Sequence, residues 1–277
     1  MERRRRAGVG LSDFRDEKIK ALSDKIKSYQ SVVVAFSGGV DSTFLLLLAM
    51  RELGGKVVAA TVDSVLMPRR EVAEAGELAS LLGCSHVILP AEPLKLREVR
   101  ENSPERCYYC KRYLFGVLCD FARKEGYLAV LDGSNKDDEI DYRPGRKAAL
   151  ELGIQSPLLE VGITKAEIRQ YSRKAGLPNW DRPAAACLAS RIPYGEEITG
   201  DKVRMIEDAE AYLSSLGCSP VRVRWHQGVG RIETSLDHFP AVLEHRREIA
   251  DHLKALGFHY VSLDLMGYRR GSLNEVL

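Results

Sequence analysis

The chain has 277 residues, 45% hydrophobic and 29% charged, enough for one large α/β domain and a smaller one, each with its own core. That composition is ordinary for a folded cytosolic protein, and no apolar run approaches the length needed to span a membrane. The formal net charge of +2 argues neither for nor against a nucleic-acid partner.

Residues 1–15 begin with a basic run, Arg3 to Arg6, and no apolar stretch of the signal-peptide kind follows it. The run reads as a solvated, disordered tail, with an RNA-contacting arm as the alternative. The expected location is the cytoplasm. Ile19, Leu22 and Ile26 then repeat at helical spacing. Val32 to Phe36 is a short β-branched run of the kind found in buried parallel strands. A glycine loop follows, and then an apolar helix from about Ser42 to Leu53.

The alternation continues with a strand from Val57 to Thr61, a helix from Arg69 to Leu82 and a strand from His86 to Leu89. A helix from Lys111 to Glu125 and a strand from Leu128 to Leu131 come next. Thr164 and Glu167 have the spacing of a capping box, opening a helix that stops at Gly176 ahead of Pro178. Strands alternating with helices predict an α/β domain over 16–195, with a doubly wound, mostly parallel sheet. Beyond Tyr194-Gly195 the pattern changes. A helix from Asp201 to Leu216, strands Val221–Trp225 and Arg231–Thr234, a helix from Phe239 to Leu256 and a strand from Tyr260 to Leu265 predict a small α+β domain over 196–277.

The first strand hands over to the next helix through Ser37-Gly38-Gly39-Val40-Asp41-Ser42. Glycines let backbone approach an anion closely, and the helix start offers free N–H groups and a positive dipole. Ser37, Ser42 and Thr43 add hydroxyls. Asp41 would repel a bare phosphate, which implies an intervening Mg²⁺. The lysine-bearing loop of γ-phosphoryl transfer, Gly-x-x-x-x-Gly-Lys-Ser/Thr, is missing, so attack at the α-phosphate of ATP fits better. A glycine turn with a Ser/Asp cap is the plain alternative. The whole string after a first strand resembles the signature of the PP-loop, or N-type, ATP pyrophosphatases. These transfer AMP to a carbonyl oxygen and make it a leaving group.

Of six cysteines, Cys84, Cys119 and Cys218 sit in apolar or helix-to-strand contexts and read as small buried hydrophobes. Cys107 and Cys110 form a Cys-x-x-Cys that reads as lying just before a helix, and Cys187 stands in Cys187-Leu188-Ala189-Ser190-Arg191-Ile192-Pro193-Tyr194-Gly195. A structural zinc site wants four ligands, and no second Cys-x-x-Cys or nearby histidine supplies the fourth. Three thiolates suit a 4Fe–4S cluster with one open iron. Three unrelated thiols remain the alternative.

The Cys187 stretch, Asp132 to Asp138, Asp141 to Gly145, Ser156-Pro157-Leu158 and Val221 to Arg224 together resemble the LarE-type sulfur transferases over nearly the whole chain. The resemblance implies an enzyme that adenylylates a carboxylate of pyridinium-3,5-biscarboxylic acid mononucleotide and replaces AMP with sulfur, in assembly of the nickel-pincer cofactor. It also implies a homo-oligomer. In some members the cysteine matching Cys187 is the sulfur donor, but those members lack the Cys-x-x-Cys. This chain has it, like members whose three cysteines hold a 4Fe–4S cluster, so cluster-borne sulfide is favoured over a sacrificial Cys187; what supplies that sulfide is not legible. Ser190, Arg191, Arg222 and Arg224 are candidate contacts to the small nucleotide substrate. A solvated strand face is the alternative for Arg222 and Arg224. Asp137, Asp138 and Glu139 are further candidates for Mg²⁺, while Asp63 and His226 carry no firm role. A tRNA thiolase is the rival enzyme, although no zinc module or broad basic, aromatic surface is legible. An ammonia-using ligase or a nucleotide-binding regulator would leave the three cysteines unexplained.

Overall fold

The computed structural model describes residues 16–139, 144–183 and 186–269. The basic run Arg3 to Arg6, the trio Asp141, Tyr142 and Arg143, and Ala184 with Ala185 lie outside them. In chain order the first elements are α1 (Glu17–Ser28), β1 (Val32–Ala35), α2 (Val40–Leu53), β2 (Val57–Asp63), α3 (Arg69–Leu82), β3 (Ser85–Pro90), α4 (Arg97–Arg100) and α5 (Arg106–Glu125). Then come β4 (Ala129–Leu131), α6 (Pro144–Glu151), α7 (Pro157–Glu160), α8 (Lys165–Lys174), α9 (Gly200–Ser215), β5 (Val221–His226), β6 (Val229–Thr234), α10 (Phe239–Glu244), α11 (Arg246–Leu256) and β7 (Tyr260–Leu263).

The described residues fall into two compact units, 16–63 with 69–91 and 107–183, and 64–68 with 92–106 and 186–269. In the first, all strand pairs are parallel in the order β3-β2-β1-β4. Side chains alternate across this sheet as the pleat requires. Val32, Val34, Val57, Ala59 and Leu131 face a core shared with α1, α2, α3 and α8. Val33, Val58, Ala60 and Val130 face a second core with Phe115, Leu118 and Ala122 of α5 and Ala149 of α6. Helices on both faces of a parallel sheet give the doubly wound α/β arrangement expected, which brings the glycine loop to the carboxyl end of β1.

The second unit holds a mixed sheet, β5-β6-β7, with β5 and β6 antiparallel and β6 and β7 parallel. Gln227 (φ 48°) and Gly228 (φ 91°) turn the hairpin, and a Cβ at Gly228 would stand 2.6 Å from His259 Nδ1. α9 packs on β5 and α11 on both α9 and β7, burying Val203, Ile206, Leu213, Ile249 and Leu253. The two short segments from the middle of the chain are laced into this unit by main-chain bonds. Leu188 N–H donates to Leu66 O at 2.9 Å, and Ile198 N–H to Arg100 O at 2.8 Å. Asn102, fully buried, donates from Nδ2 to Pro193 O at 2.7 Å and Ile192 O at 3.1 Å, and its own carbonyl accepts from Gly195 N–H at 3.0 Å. The buried Arg106 guanidinium donates to Asn102 Oδ1 and lies 4.9 Å from the Tyr194 ring centroid.

Three expectations change in detail. α5 opens at Arg106, so Cys107 and Cys110 lie within its first turn and not ahead of it. Ser103-Pro104-Glu105 is a helix-start signal, masked by the poor helix propensities of the Cys and Tyr residues behind it. The expected helix from Phe239 to Leu256 breaks at His245, which ends α10 and starts α11. Val242, Ile249 and Leu253 keep one helical period through the break, which hid it. β7 stops at Leu263, and Leu265 is exposed.

Candidate functional site

The loop after β1 is shaped by its glycines. Gly38 has φ 69°, and a Cβ there would stand 3.2 Å from Ala75 Cα. Gly39 is the N-cap of α2 and has no side chain to cap it, so its carbonyl does the organising. That oxygen accepts from Thr43 N–H at 3.0 Å, Thr43 Oγ1 at 2.9 Å and Ser42 Oγ at 3.1 Å. Ser37 Oγ and Ser42 Oγ lie 3.2 Å apart, and Gly39 N–H donates to Ser37 Oγ at 3.4 Å. Two hydroxyls and the first amides of α2 therefore converge where a phosphate can be bound.

Sequence reading missed three supports of this loop. Asn179 is buried and donates from Nδ2 to Gly38 O and Thr43 Oγ1, both at 2.9 Å, and among the described residues its own Oδ1 has no partner. Gly133 backs the loop so closely that a Cβ would stand 2.9 Å from Ser42 N. Lys165 is the third. The capping box Thr164–Glu167 is present as expected and puts Lys165 at the first position of α8. From there Nζ reaches Asp41 Oδ2 at 2.6 Å. The signal was the capping box itself, which fixes where the next side chain points.

Asp41 is half-buried, and burial holds its carboxyl above the usual range while the hydrogen bond from Lys165 draws it back down. Among the described residues its buried Oδ1 has no partner. The nearby acidic trio is engaged in local structure. Asp137 Oδ2 accepts Lys165 N–H at 3.0 Å, Asp138 Oδ2 accepts Asn135 N–H at 3.0 Å, and Glu139 pairs with Lys136. Asp63 is exposed at the end of β2.

None of the six cysteines is in a disulfide. Cys218 is buried, but Cys84 and Cys119 are half-buried at the edges of the two cores, and burial pushes all three thiols up. Cys107 is exposed and Cys110 half-buried on the first turn of α5, three residues apart and so on one helix face. Cys187 is exposed in the second unit. Among the described residues no three His, Cys, Asp or Glu side chains are gathered as metal ligands.

The basic residues of the second unit differ sharply from one another. Arg191 is 2% exposed and forms a two-pronged pair with Glu210, Nε to Oε1 and Nη2 to Oε2, both at 2.9 Å. Arg224 donates from Nε to Glu233 Oε1 at 2.7 Å and from Nη1 to Ser190 O at 2.7 Å. Arg222 is half-buried, donates to its own Val221 O at 2.7 Å and lies 5.6 Å from the Tyr268 ring centroid. Among the described residues no carboxylate pairs with Arg222, and burial, then repulsion from Arg191, lowers its pKa. Arg222 and Arg224 thus do not share one solvated face. His226 Nε2 is buried and has no partner among the described residues, and burial followed by Arg231 and Arg224 lowers its pKa.

A parallel sheet whose first strand feeds a Ser-Gly-Gly loop into a helix, with aspartate and lysine paired beside it, defines an ATP-using enzyme of the PP-loop class. No protein-family model matches the chain. It is 40% identical to an uncharacterized protein of Synechocystis sp., over 95% of this chain and 98% of that protein. It is also 40% identical to the pyridinium-3,5-bisthiocarboxylic acid mononucleotide synthase of Lactiplantibacillus plantarum, over 91% of this chain and 92% of that protein. Argininosuccinate synthase of Natronomonas pharaonis is 30% identical over 57% of this chain and 41% of its own length. The chain belongs to the LarE-type family of ATP-dependent sulfurtransferases. Among the described residues no helix is long and apolar enough to cross a membrane.

Proposed function

We propose that the chain acts in the cytoplasm to adenylylate a carboxylate of pyridinium-3,5-biscarboxylic acid mononucleotide and to replace the AMP with sulfur, giving a thiocarboxylate for the nickel-pincer cofactor. The observation that carries the reading is the Ser37–Ser42 loop with Lys165 at 2.6 Å from Asp41, in a chain 40% identical to the bisthiocarboxylic acid mononucleotide synthase. A substrate carboxylate oxygen attacks the α-phosphorus of ATP, and pyrophosphate leaves. The acyl adenylate then accepts sulfide at its carbonyl carbon, and AMP departs.

Ser37, Ser42 and the first amides of α2 hold the departing pyrophosphate. The orphaned Asp41 Oδ1 suits a Mg²⁺ accompanying the nucleotide. The Lys165 ammonium, held beside the same loop by Asp41, is placed to turn to phosphate oxygens and stabilise charge growing on the leaving group. Arg222, which pairs with no carboxylate among the described residues, receives the phosphate of the substrate nucleotide.

Cys107, Cys110 and Cys187 are the proposed holders of a 4Fe–4S cluster. Their thiols, two of them exposed and two sharing a helix turn, are of the right donor type. When bound, such a cluster supplies a Lewis-acidic open iron that keeps sulfide nucleophilic and oriented. Pyrophosphate release measured with different acceptors tests the reading. It should rise with the pyridinium dicarboxylate nucleotide and not with tRNA. Release stimulated by tRNA alone, with thiolated nucleoside as product, overturns it.

A further inference from the structure

The turn that carries Cys187 is held by its carbonyl groups. Arg191 Nη1 lies 2.8 Å from Ala186 O, 3.0 Å from Cys187 O and 2.9 Å from Ser190 Oγ. Cys187 O also accepts from Ser190 Oγ at 2.8 Å and Ser190 N–H at 3.1 Å. Arg224 takes Ser190 O from the other end of the turn. Behind each arginine stands a carboxylate. Glu210 grips Arg191 and also accepts Val223 N–H at 3.0 Å, tying the turn to β5. Glu233, fully buried, grips both Arg224 and Arg231.

A guanidinium fixed on two sides by a carboxylate has little rotational freedom left, so its remaining N–H groups point in a set direction. Here that direction is main chain. A side chain only 2% exposed offers no face to an incoming phosphate, and Nε, Nη1 and Nη2 of Arg191 each already have a partner. The three neighbouring arginines therefore divide their labour. Arg191 and Arg224 are committed to the fold, while Arg222 forms no ion pair among the described residues.

We propose that Arg191 and Arg224, braced by Glu210 and Glu233, are positioning residues that fix the main chain of Cys187 and so the placement of its sulfur, and do not contact substrate. The proposal rests on the sulfur-transfer reading above for its kinetic arm, but its chemical arm needs no substrate. In R191Q and R224Q, thiocarboxylate formation with sulfide supplied should fall in kcat by on the order of 100-fold, the penalty of a misplacement near 1 Å. KM for the pyridinium nucleotide should stay within about twofold of the parent value, since an interaction used only to orient does not alter ground-state binding. R222Q should instead show its loss in KM.

The second arm is iodoacetamide labelling of the nucleotide-free protein, read at Cys187 by peptide mass spectrometry. Its rate should change several-fold in R191Q and R224Q and not in R222Q, and R191K should restore part of it. Should R191Q fail to fold, R224Q leaves the Arg191–Glu210 pair intact and carries both measurements. A raised KM with unchanged Cys187 labelling in R191Q and R224Q would make them substrate contacts and overturn the proposal. Parent protein that releases no pyrophosphate with the dicarboxylate nucleotide defeats the sulfur-transfer reading separately, and the labelling rates then decide the positioning role alone.

Discussion

Lys165 Nζ and Asp41 Oδ2 stand 2.6 Å apart, joining the first residue of α8 to the second residue of α2 across the mouth of the glycine loop. The sequence lacks the lysine of a γ-phosphoryl loop, yet the fold supplies an ammonium group to the same loop from 124 residues away. Lys165→Met should lower substrate-dependent pyrophosphate release by roughly 100-fold, the usual loss when one charge-stabilising donor is removed. The pH dependence should move as well. Burial already raises the Asp41 carboxyl and Lys165 opposes that rise, so removing the lysine raises it further. Less of the carboxylate is then ionised at a given pH, and the acid limb of residual activity shifts to higher pH. An acid limb that stays in place would show that Lys165 does not tune Asp41.

Asp41→Ala should abolish pyrophosphate release and leave a cooperative thermal melt, since the residue sits in the first turn of α2 and its side chain belongs to neither core. The AMP adduct and pyrophosphate, quantified together, check this. Normal rates of both would remove Asp41 from the nucleotide site.

Gly133→Ala tests the wall behind the loop. The added methyl would meet Ser42 N at 2.9 Å and Asp41 C at 3.2 Å, both main-chain atoms that cannot swing aside. The loop must shift, and ATP affinity measured by titration calorimetry should fall at least about tenfold, or about 1.4 kcal/mol. Unchanged affinity would mean the loop tolerates displacement.

Cys107→Ala or Cys110→Ala should lose iron, acid-labile sulfide and sulfur transfer together after anaerobic reconstitution, while pyrophosphate release persists. Repeated turnover should leave Cys187 intact. Stoichiometric dehydroalanine at Cys187, with Cys107→Ala still active, would instead make Cys187 the sacrificial donor.

Asn102→Ala should destabilise the protein by about 2 kcal/mol or more, read by denaturant unfolding. It strands the Ile192 and Pro193 carbonyls and the buried Arg106 guanidinium, and it puts alanine at φ 56°, where asparagine is tolerated better. Thermal and denaturant stability equal to the parent would show that water replaces the amide.

The parallel sheet was legible because each strand is a short apolar run and each helix keeps its period, so Val32 to Phe36 and the capping box at Thr164 needed no tertiary information. The glycine loop was legible for a similar reason, being local in sequence. What escaped was non-local. Nothing near Asp41 announces Lys165, nothing near Gly38 announces Asn179, and Arg191 and its partner Glu210 are 19 positions apart. The charges of Arg191 and Arg224 are visible in the sequence, whereas the carboxylates that pair with them, Glu210 and Glu233, are not marked there as their partners. The start of α5 escaped because low-propensity residues fill its first turn.

The lacing of residues 92–106 to residues 188–198 also bears on how the chain is made. Asn102 finds its acceptors at Ile192 and Pro193, separated by 90 and 91 residues. At translation rates of about 5–20 residues per second, the segment leaves the ribosome several seconds before the carbonyls it will bind exist. During that interval the Asn102 Nδ2 group lacks both carbonyls and is left to water, although the strands β1, β2 and β3 have already emerged. Synthesis therefore completes the second unit last. A nascent chain arrested before residue 192 should be cut by protease within 92–106, and one released past residue 198 should resist.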